Sequence, residues 1–346
     1  MNLKGSKYGI HRVIEPKGIL PQGAKKISND MNIYDNEILI NVKALNIDSA
    51  SFTQIEKEQN GDIEKIKNKI LTIVNEKGKM QNPVTGSGGM LIGTVEKIGS
   101  DLVPSNNLKV EDKIATLVSL SLTPLRIDKI TKIHKEIDRV EIEGKAILFE
   151  SGIYVKLPDD LTENLALAVL DVAGAPAQTS KMVKSGDSVL ILGAFGKSGT
   201  LCCYEAKKRV GPTGRVVGLV ALQKDKEELI KTGFCDEVIV ANAVNPTEVL
   251  EKALNANNGS EYDISINCVN VENTEMSTIL PVKDEGTAYF FSMATSFTKA
   301  ALGAEGVSKD VSLYIGNGYT KGHAEIAINE LRESKVLREI FEKRYA

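Results

Sequence analysis

Ser188-Val189-Leu190-Ile191-Leu192-Gly193-Ala194-Phe195-Gly196-Lys197-Ser198-Gly199 is the stretch from which the fold can be read. The unbroken apolar run Val189 to Leu192 predicts a strand buried on both faces, as in a parallel sheet covered by helices. Gly193, Gly196 and Gly199 follow at once, and a helix pattern begins at about 198 and runs to about 209. Each glycine answers a separate physical demand. The first permits a tight turn, the second lets backbone approach a pyrophosphate, and the third lets helix pack close to strand. A helix starting here offers free N–H groups and the positive end of its dipole to a phosphate. A glycine turn without a ligand is the plain alternative. The complete strand–turn–helix–strand context favours the dinucleotide reading.

Downstream the alternation continues. Arg215 to Val220 is the next predicted strand, residues 224–232 a helix, and Glu237 to Val240 a short strand. Asn245 is placed as an N-cap, with Pro246 first in the helix and Glu248 as capping-box partner. Asp263 to Asn267 and Thr287 to Phe291 are further strands, with a helix near 272–280 between them. Residues 306–346 end in a charged helix, Ala324 to Lys343. Successive βα units imply an α/β doubly wound parallel Rossmann sheet. Candidate cofactor residues are Gly193, Phe195, Gly196, Lys197, Ser198 and Gly199, with Ala221, Asn267 and Ser292 at or just beyond later strand ends. The second strand ends Val220-Ala221 without the acid that marks an NAD site; the nearest, Asp225, falls in the next helix. NAD is the expected cofactor, with NADP left open. Lys224 and Lys226 read as solvated surface charges.

Upstream, residues 1–160 read as short strands with irregular connections. Glu37 to Leu45, Met90 to Ile98 and Asp112 to Val118 carry strand patterns, Gly86 to Gly89 is a turn, and 55–80 is a polar surface excursion with a helix as its alternative form. The expected division is a β-rich substrate domain over 1–160, a dinucleotide domain over 161–305, and a segment, 306–346, returning to the first domain.

The 346 residues fit two domains, and 42% hydrophobic with 26% charged residues is ordinary for a globular enzyme. A net charge of −3 gives no basic excess for nucleic acid or a membrane surface. The N-terminus lacks the apolar stretch of a signal peptide, so a cytoplasmic protein is expected. The four cysteines and three histidines lack metal-site spacing, and no metal is expected.

Ala44-Leu45-Asn46-Ile47-Asp48, the run Gly86 to Gly99, Lys109 to Asp112 and Leu157-Pro158-Asp159 together resemble the medium-chain dehydrogenase/reductase superfamily in order and spacing. The resemblance implies a GroES-like catalytic domain beside the Rossmann domain, with a cleft between them. Zinc-dependent members carry Cys or His near positions 45 and 87; here Leu45 and Ser87 stand there, which implies a zinc-free member. Tyr8 to Val13, Gly18 to Gln22 and Asp171 to Pro176 are similar to the L-erythro-3,5-diaminohexanoate dehydrogenases of lysine fermentation. That likeness implies NAD-dependent oxidative deamination at C3 to 5-amino-3-oxohexanoate and ammonia. A zinc-free NADPH-dependent quinone or enoyl reductase is the alternative, and a non-catalytic nucleotide binder a third. A small diamino acid is the expected partner, in a homodimer.

Deamination needs a neutral amine, and a diamino acid needs acids for its ammonium groups. The candidates are Asp171, set in the apolar stretch Leu165 to Ala177, then Asp48 and Ser49. A helix-end role for Asp171, and a turn role for Asp48 and Ser49, are the structural alternatives. Thr295, beyond a strand end, and Arg12, His11 and His323 are weaker candidates, the last three more readily read as structural.

Overall fold

The computed structural model describes residues 3–103, 107–316 and 318–345, and its contacts divide the chain after Leu161 into two compact units.

The first unit is built on β1 (Val13–Glu15), β2 (Lys26–Ile27), β3 (Glu37–Ile47), α1 (Ser49–Glu58), α2 (Ile63–Lys77), β4 (Gly89–Ile98), β5 (Lys113–Thr116), β6 (Leu125–His134), β7 (Arg139–Phe149) and β8 (Tyr154–Lys156). Six of the strands form an antiparallel sheet in the order β6-β7-β3-β4-β5-β8. Strands β3, β6 and β7 run ten or eleven residues, longer than the short strands expected. The stretch 55–80 takes the helical alternative, but it is not a surface excursion. Its isoleucines recur at helical spacing, and Ile66, Ile70, Ile73 and Val74 bury one face of α2 in the core of this unit. Asp62 caps α2 by accepting from Glu64 and Lys65 N–H, and Gly78 ends it with φ +73°.

The second unit contains α3 (Glu163–Leu170), α4 (Gly174–Met182), β9 (Ser188–Leu192), α5 (Lys197–Val210), β10 (Arg215–Val220), α6 (Gln223–Thr232), β11 (Glu237–Val240), α7 (Pro246–Ala256), β12 (Tyr262–Asn267), α8 (Glu275–Ile279), β13 (Val282–Phe290), α9 (Phe297–Gly306), β14 (Ser312–Ile315), α10 (His323–Glu333) and α11 (Lys335–Tyr345). The sheet order is β11-β10-β9-β12-β13-β14, with every ladder parallel. Chain order reverses between β9 and β12, which opens a crevice at their carboxyl ends, where doubly wound sheets take ligands. Val189 to Leu192 are fully buried, as a central strand requires. Asn245 caps α7 through Glu248 N–H as expected, but the Glu248 carboxylate pairs with Lys252.

The C-terminal segment, expected to return to the first unit, groups with the second. β14 extends the parallel sheet along Thr287 to Phe290, and α10 and α11 pack on α3, α4 and α5. The single helix expected over Ala324 to Lys343 is two. Ser334 is extended (φ −120°), and its hydroxyl accepts from Leu337 N–H, so it starts a new helix rather than continuing the old one. In α10, Glu330 is buried against α5 with no hydrogen-bond partner for its carboxyl. Burial pushes its pKa well above the usual carboxylate value, and the neighbouring Glu205 adds to this. Among the described residues, no helix is long and apolar enough to cross a membrane.

Candidate functional site

The turn between β9 and α5 is shaped by main chain. Gly193 stands at φ +74°, where L side chains are rare, and its N–H and that of Ala194 both reach Leu219 O at 3.0 Å. A Cβ on Gly199 would sit 2.0 Å from Gly193 O, so this glycine is what lets α5 lie against the turn. Gly196 is different. It is exposed, its φ of −77° suits any residue, and a Cβ there would meet only Gly193 O at 3.4 Å. Gly196 is also the N-cap of α5, and no side chain caps this helix. Uncapped N–H groups, a dipole's positive end and open space over the middle glycine fit a dinucleotide pyrophosphate. Ser198 lies half-buried in the first turn.

Side chains close the edge of this turn. Lys197 Nζ bonds Asp171 Oδ2 at 3.0 Å and lies 5.6 Å from the Tyr345 ring centroid. Arg344 donates to Phe195 O at 2.7 Å, and its guanidinium stacks 4.4 Å from the Phe195 ring centroid. Asp171 is the C-cap of α3, and its side chain is 35% exposed. The expectation of an acid sunk in an apolar stretch is corrected. The helix ends there, and the carboxylate turns to a lysine.

At the other strand ends, Ala221 is exposed past β10. The buried Asn267 amide donates to Thr274 and Thr278 Oγ1 at 2.8 Å each, and its carbonyl oxygen accepts from Val269 N–H. That side chain ties β12 to α8 and is spent on protein. The Ser292 hydroxyl accepts from Ala294 N–H, while Thr295 Oγ1 is buried without a partner.

In the first unit, Asp48 is the N-cap of α1, and its Oδ2 accepts from Gly88 N–H at 3.1 Å. Ser49 donates to Asp138. One turn along, the buried Ser51 hydroxyl meets Thr85 Oγ1 at 2.5 Å and Ser87 Oγ at 2.6 Å. Asn82 fixes the loop that carries them, donating to Ser51 O and accepting from Val84 and Thr85 N–H. Hydroxyls that spend their protons on one another keep lone pairs, so this cluster is an acceptor surface suited to an ammonium group. The sequence reading reached Asp48 and Ser49 but missed Ser51, Thr85 and the hydroxyl role of Ser87. The helical step of three from Asp48 to Ser51 was the available signal.

Arg12 and His11 belong to a structural network. Arg12 forms a bidentate pair with Glu37 and donates to the carbonyls of Asp30 and Asn32, while His11 accepts from Ser6 N–H and bonds Glu37. Burial raises the Glu37 pKa, but the bonds from His11 and Arg12 outweigh it and hold the carboxylate low. Burial lowers the His323 pKa, so its imidazole is neutral near pH 7.

Against known proteins, residues 11–158 match the L-erythro-3,5-diaminohexanoate dehydrogenase N-terminal domain family. A protein of Acetoanaerobium sticklandii named L-erythro-3,5-diaminohexanoate dehydrogenase is 74% identical over 343 residues, covering 99% of this chain and 100% of its own. The chain belongs to the L-erythro-3,5-diaminohexanoate dehydrogenase family. A second member, from Fusobacterium nucleatum, is 68% identical over 342 residues, 99% of each chain. Members carry the name of a dehydrogenase, an oxidoreductase, a class that works with a nicotinamide cofactor. Solved structures share the fold alone. CurK enoyl reductase superposes with TM-score 0.55 at 15% identity, over 96% of this chain and 86% of its own. Escherichia coli quinone oxidoreductase complexed with NADPH gives 0.52 at 16%, over 88% and 81%. This likeness agrees with the expected medium-chain reductase architecture.

Proposed function

We propose that this enzyme oxidises L-erythro-3,5-diaminohexanoate at C3 with NAD, in lysine fermentation. The balance is the substrate's C3 ammonium, NAD⁺ and water in; 5-amino-3-oxohexanoate, ammonium, NADH and a proton out. What carries the reading is the 74% identity to a named diaminohexanoate dehydrogenase over almost the whole chain. The bound nicotinamide supplies the hydride acceptor. The chain's own residues hold it through Gly193, Gly196, Ser198 and Gly199, with Lys197 kept in place by Asp171. Asp48 and the Ser51–Thr85–Ser87 hydroxyls take the substrate's positive nitrogen. Asp48 is the preferred proton acceptor, and Ser49 holds Asp138 beside it. Asp171 is the weaker candidate because Lys197 already occupies its carboxylate.

The same proposal has the reaction run without zinc. Its support is the donor set: among the described residues, no group of three or more His, Cys, Asp or Glu is placed to hold a metal ion. The proposal also places the enzyme in the cytoplasm, where thiols such as its free cysteines stay reduced, and makes it a homodimer.

The test is absorbance in the reduced-nicotinamide band with the diamino acid and either NAD or NADP, alongside an ammonia assay. The expected outcome is NADH and ammonia in equal amounts, undiminished by chelation. Turnover of a quinone with NADPH, and none of the diamino acid, would replace this reading with the reductase one.

A further inference from the structure

The final helix ends on the dinucleotide turn. Arg344 holds Phe195 twice, by a 2.7 Å hydrogen bond to its carbonyl and by a 4.4 Å stack on its ring. The Tyr345 ring centroid lies 5.2 Å from the same guanidinium. A guanidinium has five N–H donors in a rigid plane, and one is spent on Phe195. Arg344 itself remains exposed. The half-buried phenol of Tyr345 is pushed up by burial, eased by Arg344, and raised again by Asp225. Asp225 opens α6, just past β10. The tip of α11 thus lies by the turns that follow β9 and β10, neighbours in the sheet.

The electrostatics are specific. The Lys197 charge is matched by Asp171. Arg344 brings a further positive charge, on a planar fork that suits a phosphate better than an ammonium does. Turning the Phe195 carbonyl toward Arg344 also offsets the negative end of that carbonyl dipole beside an anion site. The β10–α6 connection, Ala221-Leu222, has no acid to grip a ribose, so binding strength has to come from elsewhere.

We propose that Arg344 is a dinucleotide-binding residue: anchored on Phe195, it presents its remaining N–H groups to the cofactor's pyrophosphate, which makes the C-terminal helix part of the cofactor site. This rests on the nicotinamide reading of the glycine turn and extends it to a residue far along the chain.

Equilibrium titration without substrate tests it, using NADH, ADP-ribose and adenosine on wild type, Arg344→Met and Arg344→Lys. Arg344→Met should weaken NADH and ADP-ribose about tenfold or more and leave adenosine, which has no phosphate, unchanged. Arg344→Lys should fall between, keeping charge without the fork. NADH affinity within twofold of wild type in Arg344→Met would overturn the proposal. So would equal weakening of adenosine and ADP-ribose, because Arg344 would then only shape the turn. Failure of wild type to bind NADH would sink the nicotinamide reading itself.

Discussion

Two helix starts carry the candidate chemistry, and they are made of opposite materials. α5 begins after glycines, with its N–H groups uncapped and space above Gly196. α1 begins after Asp48, whose carboxylate engages Gly88, and a knot of hydroxyls lies one turn along. The first is a donor surface for an anion; the second is an acceptor surface for a cation. The first is main chain, whose demands fall on neighbouring residues. The second is side chain, assembled from residues 34 and 36 positions apart.

The widest gap should appear within the glycine turn. Gly199→Val drives a Cβ to 2.0 Å from Gly193 O, a main-chain atom that cannot yield, and should cost roughly 3 kcal/mol or more of stability. A Cβ at Gly196 meets nothing closer than 3.4 Å, so Gly196→Val should lose only the roughly 1 kcal/mol of a poorer N-cap, yet lose NADH affinity by about a hundredfold, since its branched side chain fills the pyrophosphate's space. Thermal melts and NADH titration separate the two. A folded Gly196→Val variant with normal affinity would show that the anion lies elsewhere.

The hydroxyl cluster should respond more mildly. Ser51→Ala removes the member that touches both others. If the cluster takes the substrate's ammonium, KM for the diamino acid should rise by about tenfold, as for one hydrogen bond to a charged group. NADH affinity should not move. Thr85→Val, at the exposed member, should reproduce the KM effect with almost no change in Tm. A fall in Tm for Ser51→Ala with KM unchanged in both variants would reduce the cluster to a loop fastener.

That contrast explains what the sequence made legible. The run from Ser188 to Gly199 announced strand, turn and helix because burial, positive φ and close packing act over a dozen adjacent residues. The Asn245-Pro246 helix start was local in the same way. Ser51 and Ser87 were not legible, because one serine hydroxyl specifies nothing until the loop fixed by Asn82 brings the other beside it. Arg344 lies just past the charged helix read over Ala324 to Lys343 and carried no reading of its own; only the break at Ser334 and the docking of α11 bring it to Phe195. Asp171 misled because an acid after apolar residues suggests burial, whereas here the helix simply ends.

The smallest effect at neutral pH concerns a buried lysine just before the hydroxyl loop in the chain. Lys79 is fully buried just before that loop, and its ammonium donates to the carbonyls of Pro21 and Gln22 at 2.6 and 3.1 Å. Burial, aided by the charge of Lys77, lowers its pKa from 10.5 to about 8. Below pH 8 the folded and unfolded chains both bind the proton, so this group gives stability no pH dependence there. From pH 8 to 10.5 the unfolded chain still holds the proton while the folded one releases it, so stability should rise with pH, by at most about 1.4 kcal/mol per unit. Lys79→Met removes that slope while keeping an apolar stem of similar length. Urea midpoints of wild type and variant, taken in steps across this window, isolate the contribution from other groups that titrate there, because only the difference between the two proteins is read. A difference that grows in favour of wild type as pH rises supports the buried ammonium. A constant difference would place the Lys79 ammonium in contact with water in the folded chain.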